Sequence, residues 1–256
     1  MLTDKKTLTK LNHILARYEA LRYVPVAEVP MEYCETREHY RREPGPRENV
    51  RWKPAQPGLN WGGDGITAWF RGDVQAPKDC AGRKVFLKAP TGGVEALLLV
   101  NGSCQGVFDA NHPVRLVALK GSPRKRLHIA LEAYSGHWHP GAGMDGHPPR
   151  IEPGSRVFEG ATLLAEREDV SAFVFDLKVL LQLVEVLGPD DRRGGEVARG
   201  LVQVFSVLDA KPLETPEDSW RPKLREARKI MRPLLEARNG DTAPRMENAL
   251  KLIGET

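Results

Sequence analysis

Three histidines and an aspartate crowd into one short run, Gly136-His-Trp-His-Pro-Gly-Ala-Gly-Met-Asp-Gly-His147. His137, His139, Asp145 and His147 are donor types that zinc accepts in a tetrahedral array. The run is also glycine-rich and broken by proline, so no rigid element presets the geometry a metal needs. Neither His137/His139 nor His147 stands at an established ligand spacing, and a surface loop between strands is the better reading. Trp52, Trp61 and Trp69 form a second group. An aromatic face stacks on a sugar ring or fills a core, and cores take most of them. Trp61, in the loop-like Asn60-Trp-Gly-Gly, is the candidate sugar contact, although packing is favoured there too. Asp109 and His112 are near neighbours in a turn, where an aspartate more often accepts from local backbone N–H groups than performs catalysis. No G-x-S-x-G, H-E-x-x-H, P-loop or strand-linked G-x-G-x-x-G occurs. Paired carboxylates for glycoside hydrolysis have no sequence signature of their own.

The elements that would position these residues change type along the chain. Leu8, Leu11, Leu15 and Tyr18 fall at helical spacing within residues 7–22, and Pro25 and Pro30 end that pattern. Residues 41–65, rich in Pro, Gly, Arg and Trp, read as an irregular connection. From Ile66 the period is two. Strands are predicted at 67–74, 83–88, 95–100, 105–108, 114–119, 127–134 and 157–167. Asn101-Gly102 supplies the positive φ of a tight hairpin turn between two of them. In Leu127–Tyr134 the residues Leu127, Ile129, Leu131 and Ala133 share one face; His128, Glu132 and Tyr134 share the other. Short strands with regular turn signals predict a sandwich or barrel. After Asp169, a candidate helix cap, the period returns to helical. Phe173, Leu177, Leu180, Leu181, Val184 and Leu187 lie on one stripe. Further helices are predicted at about 196–208, from the capping box Thr215-Pro-Glu-Asp218 or, since Pro222 disturbs that start, from near Arg221 to Arg238 with a kink at Pro233, and over Pro244–Ile253. Strands followed by helices give an α+β chain. The expected divisions are an N-terminal helix and linker (1–45), an antiparallel β-sandwich (46–167) and a helical segment (168–256).

Composition excludes several classes. The 256 residues carry 38 basic and 34 acidic side chains, a net charge of +4, with 41% hydrophobic residues. The basic runs Arg41-Arg42, Arg124-Lys-Arg126 and Arg192-Arg193 are short and scattered, so no nucleic-acid face is expected. No apolar run reaches the ~20 residues of a membrane helix. The start of the chain has no apolar signal region, so a cytoplasmic location is expected. Three cysteines without CxxC spacing argue for free thiols rather than a disulfide framework.

Several segments together resemble the N-terminal region of the family-38 glycoside hydrolases, the cytosolic-type α-mannosidases. They are Thr67-Ala-Trp-Phe-Arg71, Gly93–Gly102, Gln105-Gly106, Asp109–His112, Leu127–Tyr134 with Gly136-His137, and Asp169–Leu181. The resemblance implies a galactose-binding-like jelly roll that precedes a catalytic domain absent from this chain. That domain would use zinc, a His-x-Asp motif and a later aspartate nucleophile in a retaining mechanism. None of the seven histidines here begins a His-x-Asp. No catalytic, cofactor-binding or metal residue is carried over, and no cofactor is expected in this chain. The expected role is architectural, packing on the mannosidase catalytic domain and shaping its mouth or a homo-oligomer contact. The rival expectations are a free-standing carbohydrate-binding module and a protein-interaction scaffold.

Overall fold

In the computed structural model the described residues are 2–136, 151–188 and 191–241. They divide into two compact units, and each is α or β in character. The first joins residues 1–22 with 167–256, and the second is Tyr23–Glu166. The chain is α+β, and among the described residues all strand pairs are antiparallel.

The β unit is a sandwich. One sheet holds six strands in the order β3 (Lys53–Ala55), β2 (Met31–Thr36), β5 (Thr67–Gln75), β10 (Arg126–Tyr134), β7 (Glu95–Val100) and β8 (Ser103–Phe108). The other holds four: β1 (Tyr23–Glu28), β12 (Thr162–Glu166), β6 (Val85–Lys88) and β9 (Val114–Ala118). A small pair, β4 (Leu59–Trp61) and β11 (Arg156–Phe158), completes it. Alternation builds the core, since successive side chains point to opposite faces of a strand. Phe70, Leu98, Ile129 and Leu131 meet Val85, Leu87 and Leu163 in one buried cluster. Phe70 is its aromatic centre: it stacks on Phe158 at 4.7 Å and on Tyr33 at 5.9 Å, and meets Trp61 edge-on at 5.8 Å.

Two strands lie where a linker is expected. β1 and β2 occupy residues 23–36, and Pro25 does not stop them. It sits in an edge strand of the four-stranded sheet, beside a break in register between Pro25 and Ala27, where a missing N–H is tolerated.

The helical unit packs α1 (Leu2–Ala20), α2 (Glu168–Leu187), α3 (Arg192–Val207) and α4 (Glu217–Asp241) around their apolar stripes. Tyr18 of α1 sits edge-on to Phe173 at 5.0 Å and to Trp220 at 5.9 Å. Burial, with the Asp209 carboxylate nearby, pushes the Tyr18 phenol up to about 12. The first helix therefore belongs with residues 167–256 rather than with a separate linker. The backbone N–H of Arg167 donates to the Arg22 carbonyl at 2.8 Å where the chain re-enters this unit.

α3 begins earlier than its apolar period suggests, because Asp191 caps it. Its carboxylate accepts from the N–H groups of Arg193 (2.8 Å) and Gly194 (3.0 Å). Replacing Asp191 with alanine is expected to cost about 1 kcal/mol, read as a fall in the urea midpoint at unchanged m value. α4 runs through both Pro222 and Pro233. The expected helix over Pro244–Ile253 lies outside the described residues. Among the described residues no helix is long and apolar enough to cross a membrane.

Candidate functional site

Among the described residues, the densest set of chemically capable side chains lies on the outer face of the six-stranded sheet. Register fixes its rows. Glu32, Arg71 and Ala130 stand side by side, as do Cys34, Trp69, Glu132 and Leu97, and Asp73 stands opposite His128. The segment 37–52 leaves β2 and returns toward β3 across this face. Its Tyr40, Val50 and Trp52 pack on Cys34, Trp69, Leu99 and Ala130.

A chain of charges ties that segment down. The Arg71 guanidinium donates to Glu32 at 3.1 Å and to Glu43 at 3.4 Å, and lies 3.8 Å over the Trp52 ring. His128 Nε2 lies 2.6 Å from Glu43 Oε2, and its Nδ1 lies 3.0 Å from Asp73 Oδ1. Arg126 reaches Asp73 at 3.2 Å. A neutral imidazole has one N–H, so two carboxylate contacts are both favourable only for the imidazolium. Partial burial pulls the His128 ring down, but Glu43 and Asp73 together outweigh it and the ring stands above its ordinary 6.5. With His128 protonated, three carboxylates face three cations.

The same face holds two groups pushed the other way from ready ionisation. Half-burial between Trp69 and Leu97 raises the Glu132 carboxyl, with His39 acting weakly against it. Burial pushes the Cys34 thiol up to about 11, which keeps it protonated at neutral pH and a poor nucleophile.

Trp61 is not a sugar platform. It is 1% exposed, its ring edge is against Phe70, and its Nε1–H donates to the Thr91 carbonyl at 2.6 Å. The pairing of β4 with β11 carries it inward, so packing is its role. Trp69, also 1% exposed, lies on the opposite face, beneath the 37–52 segment. His137, His139, Asp145 and His147 lie outside the described residues. Asp109 behaves as a turn residue: it accepts from the N–H groups of Asn111 (2.7 Å) and His112 (2.8 Å) and from the His112 ring (2.9 Å). The His112 ring, then those N–H groups, hold its carboxyl below the usual range. Among the described residues no group of three or more His, Cys, Asp or Glu could hold a metal ion. Two small clefts open on the β unit. One of about 230 Å³ is lined by Tyr33, Cys34, Glu35, Arg51 and Lys53, and one of about 320 Å³ by Asp73, Val74, Gln75 and Arg126.

The outward alternation of His128 and Glu132 was visible in the sequence. Their partners were not: Glu43 is 85 positions from His128 in a segment with no periodic pattern.

No family model and no curated protein match this chain. Among solved structures it has a partial likeness to β-glucuronidases. For a calcium-binding mutant of Bacteroides uniformis β-glucuronidase 2 the identity is 14% and the TM-score 0.35, over 56% of this chain and 18% of that one. For the Ruminococcus gnavus β-glucuronidase in complex with a C6-substituted uronic isofagomine the figures are 9%, 0.38, 56% and 29%. For the Faecalibacterium prausnitzii β-glucuronidase they are 12%, 0.37, 57% and 32%. The chain thus spans less than a third of the length of these three enzymes. The expected membership of the family-38 α-mannosidases is corrected by these findings: no family model supports it, and the neighbours found are β-glucuronidases. The physical reason is plain in the structure. Thr67–Arg71, Gly93–Gly102 and Leu127–Tyr134 fall on β5, on β7 with its turn into β8, and on β10, whose alternation and Asn-Gly turn are common to antiparallel sandwiches.

Proposed function

We propose that this chain is a non-catalytic β-sandwich module of a carbohydrate-active protein, with an architectural role beside a glycosidase catalytic domain. The observation that carries the non-catalytic part is the commitment of Glu32, Glu43 and Asp73 on the outer face, which leaves the raised Glu132 carboxyl with Trp69 and Leu97, not a second carboxylate, as its neighbours in register. Glu32 and Glu43 are held by Arg71, and Glu43 and Asp73 by His128; Glu35, on the core side of β2, is held by the Gly62 N–H at 2.7 Å. A carboxylate so held is an anchor, whereas a general acid or nucleophile must be free to reach the substrate. The carbohydrate part is supported by the side chains bordering this face. Trp52 and Tyr134 are half-buried, so part of each ring meets solvent, and Arg71 and Glu132 stand near them. Aromatic faces with a few polar groups form the usual recognition chemistry for sugars.

The chain is expected to release no chromophore from a panel of aryl glycosides, aryl glucuronides included, with or without added zinc. Turnover above the buffer rate would overturn the non-catalytic reading. Titration with oligosaccharides at millimolar concentration, followed by NMR, is expected to move the Trp52 indole and leave the buried Trp61 indole in place. No shift at any tryptophan would remove the carbohydrate reading.

A second reading, a protein-docking module, is favoured by α2. Its Phe175 is 68% exposed and Val186 is 82% exposed, one helical face apart by whole turns, with Val179 between them. Large apolar groups left in water on one face often mark a surface for another protein.

A further inference from the structure

We propose that residues 37–52 form a strap latched to the sheet by the imidazolium of His128, and that the latch loosens as that ring loses its proton. The geometry carries the inference. Both ring nitrogens face carboxylate oxygens, Glu43 of the strap on one side and Asp73 of β5 on the other. Removing one proton leaves a ring lone pair against one of those oxygens, so one attraction becomes a repulsion. Asp73 retains Arg126 at 3.2 Å, and the backbone N–H of His128 stays fixed on Asn101 Oδ1 at 3.0 Å. Glu43 is the partner on a non-sheet segment and is the one that moves away.

The strap also carries His39, which acts on the Glu132 carboxyl that burial raises. Arg71 holds Glu43 and Glu32, and also lies on Trp52, so it keeps a residual grip on the strap in both states. With the ring protonated, Glu32, Glu43 and Asp73 balance Arg71, Arg126 and His128. With it neutral, one negative charge is left uncompensated beside a half-buried ring. The ring is stabilised in its charged form only in the closed state. The latch is therefore fully made below about pH 6.5, the ordinary histidine value, and is lost as pH rises through the higher value of the closed state. Opening would bare the apolar strip that Tyr40, Val50 and Trp52 now cover, with Cys34 and Trp69 at its floor. This behaviour is independent of whether the module binds sugar.

The test uses the full chain. Hydrogen exchange at the strap amides, corrected for the intrinsic effect of pH, is compared with the NMR titration of the His128 ring. Strap protection is expected to fall about tenfold between about pH 5.5 and about pH 8.5, with the same midpoint as the ring. His128→Gln is expected to abolish the pH dependence and leave the strap open at both ends of the range, with unchanged far-UV circular dichroism. Glu43→Gln is expected to do the same without altering the sheet residues. His112→Gln, which removes another carboxylate-bound histidine, leaves the wild-type profile intact. The proposal is overturned by strap protection that is flat across the range, by a midpoint distinct from that of the His128 ring, or by a pH response that survives Glu43→Gln. In a Cys104→Ser background, Cys34 alkylation at one fixed pH is expected to be faster in His128→Gln than in the parent. Equal rates would count against strap opening.

Discussion

Replacing Phe70 with alanine is expected to cost the β unit about 3–5 kcal/mol, the range for deleting a buried phenyl group. The ring is 0% exposed and touches three other aromatic rings, those of Tyr33, Trp61 and Phe158. Deletion removes the transfer energy of one side chain and leaves a void that its neighbours on two different sheets cannot close together. A fall in Tm of roughly 10 °C corresponds to that loss for a unit of this size. The measurement is thermal unfolding followed by tryptophan fluorescence, which reports Trp61 and Trp69 within the same unit. Phe70→Leu, which keeps most of the volume, is expected to cost less than half as much. Equal losses for the two variants would show that the ring contacts, rather than the filled volume, matter.

Gly92→Ala is the second large effect and arises from the backbone. Gly92 has φ +76°, and a Cβ there would lie 2.5 Å from the Val157 carbonyl oxygen and 2.7 Å from its nitrogen. Left-handed backbone costs an L-residue about 1–2 kcal/mol, and a contact that close to rigid main chain adds overpacking of about 1–3 kcal/mol. The expected loss is therefore about 2–5 kcal/mol by the same reasoning. Gly102→Ala is the control: its φ is +79°, yet nothing lies within 4 Å of its Cβ, so it bears the conformational cost alone. The difference between the two urea midpoints isolates the Val157 contact. A difference near zero would mean that the Val157 strand yields.

The parts of the fold that were legible in the sequence obey a period that packing enforces. β5, β7 and β10 alternate because one face enters the core, and the Asn101-Gly102 turn sets their neighbours' register. α2 was legible because Phe173, Leu177, Leu180 and Val184 are all buried on one stripe. β1 and β2 were hidden by Pro25 and Pro30, which signal a linker unless the strand is known to lie at a sheet edge. The start of α3 was hidden by Gly194 and Gly195, which weaken a helix. Gly194 is needed because a Cβ would meet the Gly188 carbonyl at 2.1 Å. Trp61 reads first as packing and second as a sugar contact because the glycines after it suggest a loop; β4 turns it inward and leaves it 1% exposed. The Glu43–His128–Asp73 contact could not be read at all. It joins an irregular segment to two strands, and no spacing rule links positions that only folding brings together.

The first helix shares its core with three helices that follow the whole sandwich in sequence, and Arg22 and Arg167 are hydrogen-bonded neighbours. On a ribosome adding about 5–20 residues per second, Leu11, Leu15 and Tyr18 emerge with no partner and wait on the order of ten seconds or more for Phe173 and Trp220. During that interval the sandwich, whose strands are complete once Glu166 has appeared, can close first. The helical unit is then the late-assembling half, with its apolar first helix the segment most in need of chaperone cover. Shortening the path from Arg22 to Arg167 to a few flexible residues would remove the wait and yield the four helices as a fast-folding bundle of their own.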